Sequence, residues 1–101
     1  MKIKVTNKIT NYEGKEMEKI TIRSLISETL NSPVENEKLT AEDKSKIYQL
    51  SVKVYSANEV DFSLDERAFI KERASKTLFP MYYGKLCEIL EDKEEEMKET
   101  K

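Results

Sequence analysis

The chain is 101 residues long, with 38% apolar residues, 38% charged residues and a net charge of −2, and a chain of this size supports one thin-cored domain. The excess of charge and shortage of apolar residues exclude a membrane span, a collagen-like repeat and a disulfide scaffold. They do not name an activity.

Residues 2–9 (KIKVTNKI) alternate basic and apolar side chains, which predicts a strand with Ile3 and Val5 facing inward. Residues 17–22 (MEKITI) predict a second strand, with Ile20 and Ile22 on one face. Between them lies NYEGKE, where Gly14 suits a turn position of positive φ, so the two strands read as a β-hairpin. A lone hairpin is marginal in water and must lean on helices.

Thr21 or Ser24 caps a short helix running to about Leu30, with Leu25, Ile26, Thr29 and Leu30 as its buried stripe. Asn31-Ser32-Pro33 stops it, because the residue before proline avoids the α region; residues 31–39 then read as a polar loop. Thr40 opens the next helix, with Asp43 placed to answer the cap. Ile47, Leu50 and Val54 form one stripe there, and Tyr48, Val52 and Tyr55 a second beside it. Two adjacent stripes predict a wide apolar face and make this the central helix of a bundle, ending near Ala57-Asn58.

Residues 59–62 (EVDF) read as extended, with Val60 and Phe62 pinning the connection to the core. Ser63-Leu64-Asp65-Glu66 is a capping box opening a helix that carries Ala68, Ile70, Ala74 and Leu78. Pro80 suits the first position of a last helix. Tyr82, Leu86 and Ile89 line one side of it, and Tyr83, Cys87 and Leu90 the next, with Gly84 expected to admit a neighbouring backbone. The fold class expected is therefore α+β: an N-terminal β-hairpin packed on a small bundle of three or four helices. Residues 1–90 form the single domain, and residues 91–101 an acidic tail.

Charge is distributed unevenly. Residues 1–30 carry six bases and four acids, residues 31–90 nine and ten, and residues 91–101 three and six. Histidine is absent, which removes the usual neutral-pH general base and a common zinc ligand. Cys87 is the only cysteine, which leaves no internal disulfide or thiolate cluster and suggests a reducing compartment. Met1-Lys-Ile-Lys-Val lacks a signal-peptide apolar run, so a cytoplasmic protein away from membranes is expected. Asp61, Ser63, Asp65 and Glu72 fall at calcium-loop spacing, but Glu66 stands where that loop needs glycine, and helix capping explains Ser63 and Asp65. No metal, no cofactor and no enzyme activity are expected.

Tyr48, Tyr55, Tyr82 and Tyr83 are numerous for a chain without tryptophan, and on two helices they can line a groove that accepts a partner side chain or a base. Lys53, Arg67, Arg73 and Lys85 can supply cations to a phosphate or carboxylate there. The candidate partner-binding residues are thus Tyr55, Tyr82, Tyr83, Arg67, Arg73 and Lys85. No helix presents the basic face of a DNA reader, since Glu72 separates Lys71 from Arg73.

The order of a glycine-turn hairpin, then TIRSLISETL, then LTAEDKSKIYQLSVKVYSANEVDFSLDERAFIKERASKTLFPMYYGKLCEILE resembles small proteins encoded by bacteriophages and prophages, over roughly residues 10–91. The resemblance implies a bacterial cytosol and a role in phage–host interaction, in which small proteins without catalytic residues occupy a surface of a host enzyme, polymerase or defence complex. The expected function is non-enzymatic binding that modulates or inhibits a host protein by occlusion. The alternatives are nucleotide sequestration at an oligomer interface, and a self-associating structural or assembly component of a phage particle.

Overall fold

A computed structural model describes residues 2–91; the acidic tail predicted from the sequence lies, from residue 92 onward, outside the described residues. The elements run β1 (Lys2–Lys4), β2 (Lys8–Thr10), β3 (Glu16–Thr21), α1 (Ile22–Asn31), α2 (Ala41–Ser56), β4 (Glu59–Asp61), α3 (Leu64–Thr77) and α4 (Pro80–Leu90). The fold is α+β, with two small antiparallel ribbons, β2–β3 and β1–β4, set against four helices.

β2 and β3 form the predicted hairpin. Its turn is held by Asn11, whose Oδ1 accepts from the amides of Glu13 at 2.9 Å and Lys15 at 3.1 Å. Gly14 adopts φ +83°, a conformation that glycine takes without strain.

The expected single strand over 2–9 is broken in two. At Val5–Asn7 the chain turns away from its strand partner, and the carbonyls of Val5 and Asn7 accept from the amides of Arg23 at 2.7 Å and Ile22 at 2.8 Å. First-turn helix amides have no intrahelical acceptor, and the break supplies two. Ile22 accordingly begins α1 and does not extend β3.

The detached segment β1 pairs with β4. Ile3 faces Val60 toward the core, while Lys2 stands opposite Asp61 and Lys4 opposite Glu59 on the outer side. Opposite charges across a ladder favour this register. Val60 and Phe62 are buried, as the sequence predicts.

Helix starts follow the sequence closely. Thr21, Thr40 and Ser63 each accept from the third helical amide, and Ser24, Asp43 and Glu66 return the bond. Pro80 starts α4. The predicted stripe of α1 is buried in full, and α1 packs against α2, α3 and α4.

Three expectations fail here. The centre of the bundle is α1, because α2 buries only Ile47, Leu50 and Val54 and leaves Tyr48, Val52 and Tyr55 outside. Ala68 is exposed on α3, where Ile70, Arg73 and Ala74 are the buried residues. Gly84 admits no neighbour, since a Cβ there would meet nothing within 4 Å.

Candidate functional site

The chain holds three arginines among eighteen basic residues, and each donates to carbonyls at the C-terminal end of another helix. Arg23 reaches from α1 to the end of α2, with Nε 2.7 Å from the Val54 oxygen and Nη2 2.7 Å from the Ala57 oxygen. Arg67 reaches from α3 to the Leu90 oxygen at the end of α4, at 3.1 Å. Arg73 reaches from α3 to the end of α1, with Nη2 2.9 Å from the Ser32 oxygen and 3.3 Å from the Leu30 oxygen. The last carbonyls of a helix lack intrahelical donors and carry partial negative charge, so a guanidinium fits them on both counts.

Arg73 is the most enclosed of the candidate residues, at 4% exposure. Its charge is met by Glu37, which pairs with Nη1 and also lies 3.4 Å from Lys76 Nζ. A turn with Glu37 N–H donating to the Val34 oxygen brings the carboxylate back, through Asn36 at φ +64°; asparagine tolerates this conformation better than most side chains. The hydrogen bond from Arg73 lowers the Glu37 pKa, opposed by burial and reinforced by the charge of Arg73 and by Lys76.

The tyrosines do not gather into one groove. Tyr48 lines a hollow of about 480 Å³ between the end of α1, the 32–39 loop and α2. Tyr82 lines a different one of about 270 Å³, with Leu25, Leu78 and Phe79. Tyr55 lies under the guanidinium of Arg23, 5.2 Å from its ring centre. Tyr83 is 38% exposed, its phenol pKa raised chiefly by a hydrogen bond with Cys87, which is half-buried and not enclosed in the core.

The remaining cations are dispersed. Lys53 forms a 2.7 Å ion pair with Glu66. Burial pushes the Glu66 pKa up, but Lys53 and the Ser63 amide outweigh it and hold it low. Lys85 lines a third hollow, beside β2.

What the structure does assemble is a strip on the outer side of α2. Tyr48, Val52 and Tyr55 follow one another at helical spacing, 70%, 51% and 58% exposed. Lys44, Ser45, Ser51 and Ser56 share this side by the 100° periodicity of the helix, whereas Glu42 and Asp43 belong to the first turn. The strip was visible as a pattern in the sequence, but its direction was not.

Among the described residues, no group of three His, Cys, Asp or Glu side chains is placed to hold a metal ion. No helix of the described residues is long and apolar enough to cross a membrane. No protein-family model matches the chain, and no curated protein or solved structure matches it.

Proposed function

We propose that this is a non-enzymatic binding protein that acts by covering a surface of a protein partner, with the outer side of α2 as its anchor. The observation that carries the reading is the exposure of Tyr48, Val52 and Tyr55 in one row. Isolated exposed apolar residues are ordinary, but a contiguous row with tyrosine at both ends has the composition of an interface centre. In the phage setting that the sequence resemblance implies, the partner is a host protein whose working surface is occluded.

A photo-crosslinking residue at position 52, compared with one at the exposed position 19 on β3, tests this in bacterial lysate. One protein captured at 52 and not at 19, and lost when Tyr48→Glu is added to the strip, supports the reading. Equal labelling at both positions overturns it, as does substrate turnover by purified protein that a point substitution abolishes. Self-association through the same strip predicts a concentration-dependent mass in sedimentation that Val52→Glu removes.

A further inference from the structure

The hollow at the end of α1 has a chemistry of its own, sharing Tyr48, Lys44 and Ser51 with the exposed strip but neither Val52 nor Tyr55. Its volume of about 480 Å³ lies in the range that holds small organic molecules. Leu30, Val34, Leu39 and Ile47 give it apolar walls, and Arg73 and Lys44 bring two cations against the single carboxylate of Glu37.

Arg73 is the informative group. Its terminal nitrogens donate to Glu37, Leu30 and Ser32, while its buried Nε–H has no acceptor. That Nε is itself closed to solvent, so an acid in the hollow meets this guanidinium on the side where Glu37 now sits. Glu37 meanwhile shows which group this guanidinium accepts, since it presents a carboxylate to the same side chain.

We infer that the hollow binds an organic monocarboxylate with an apolar body. The acid group is held by Arg73 and Lys44, and the hydrocarbon or aromatic part packs on Leu39, Ile47 and the ring of Tyr48. A single negative charge matches the surplus of one cation in the lining, and the apolar walls reject a small, fully hydrated anion. Glu37 is the internal competitor for the same guanidinium. This goes beyond occlusion of a protein partner, because Val52 takes no part in it.

Titration with octanoate, followed by ¹H–¹⁵N NMR, tests the inference on the full chain. The expected result is saturable, sub-millimolar binding with shifts confined to residues 30–39 and 44–51 and to Arg73. Octan-1-ol binds at least about tenfold more weakly if the charge is read. Lys44→Gln, a surface change, weakens octanoate by roughly threefold, and Glu37→Gln tightens it by a similar factor, as expected for modest charge effects near a surface. Val52→Glu leaves it unchanged, which separates this site from the partner-binding strip. Absence of saturation, shifts centred elsewhere, octanol binding as tightly as octanoate, or a folded Glu37→Gln variant with no gain in affinity each overturns the inference.

Discussion

At the end of α2, Arg23 donates to two helix carbonyls while half-exposed and lying over Tyr55. At the end of α1, Arg73 donates to two carbonyls while buried, with Glu37 beside it and a hollow along its flank. The capping chemistry is shared, but the surroundings differ in access to water. Near the surface, solvent screens a guanidinium, and no carboxylate is needed to hold it. Under cover, an unmatched charge is expensive, and the 34–37 turn supplies the counter-charge. The first region is a surface tie, whereas the second couples the order of a loop to that of two helices.

The largest expected effect follows from that difference. Arg73→Ala leaves two helix carbonyls without their donor and Glu37 with Lys76 alone, and lowers stability by on the order of 3 kcal/mol, read from urea unfolding. Arg23→Ala removes two bonds near solvent and costs about 1–2 kcal/mol. Equal losses in the two variants break the comparison.

A pH series sharpens it. The folded-state pKa of Glu37 lies below its ordinary value of 4.5, so its contribution is fully present above that value and is lost as pH falls through the folded value. The Tm gap between the wild-type protein and Glu37→Gln therefore stays constant from neutral pH down to about pH 5 and closes below it. The gap between wild type and Arg23→Ala has no such acid limb, since no carboxylate serves that guanidinium's carbonyl bonds. A Glu37→Gln gap that persists in acid contradicts the assigned role.

The smallest contrast lies within the strip on α2. Tyr55→Ala loses the stacked cation and costs about 0.5–1 kcal/mol. Tyr48→Ala, whose ring is the more exposed of the two, changes stability by less than about 0.5 kcal/mol. Both are expected to weaken partner binding, so binding assays separate function from stability.

Much of the fold was legible because capping is a short-range matter. Thr40 and Asp43, or Ser63 and Glu66, exchange bonds across three residues, and any stretch with that spacing advertises a helix start. The break at Val5–Asn7 was hidden, since its cause is the first turn of α1, which needs acceptors from outside its own chain segment. The pairing of β1 with β4 did leave a trace: KIK and EVD are complementary in charge around one apolar residue. The arginines left no such trace: the sequence reads Arg67 and Arg73 as groups for a ligand or partner, because the carbonyls they cap lie 23 to 43 residues away.

By itself the sequence determined where helices begin, which stripe of α1 is apolar and where the hairpin turns, because each depends on neighbours a few residues away. Only the tertiary structure decided which stripe of α2 faces outward, which helix sits at the centre and where the arginines end. Those outcomes rest on contacts between positions 23 to 43 residues apart. Two stripes on one helix compete for a single covered face, and the winner is set by the shape of what packs against it.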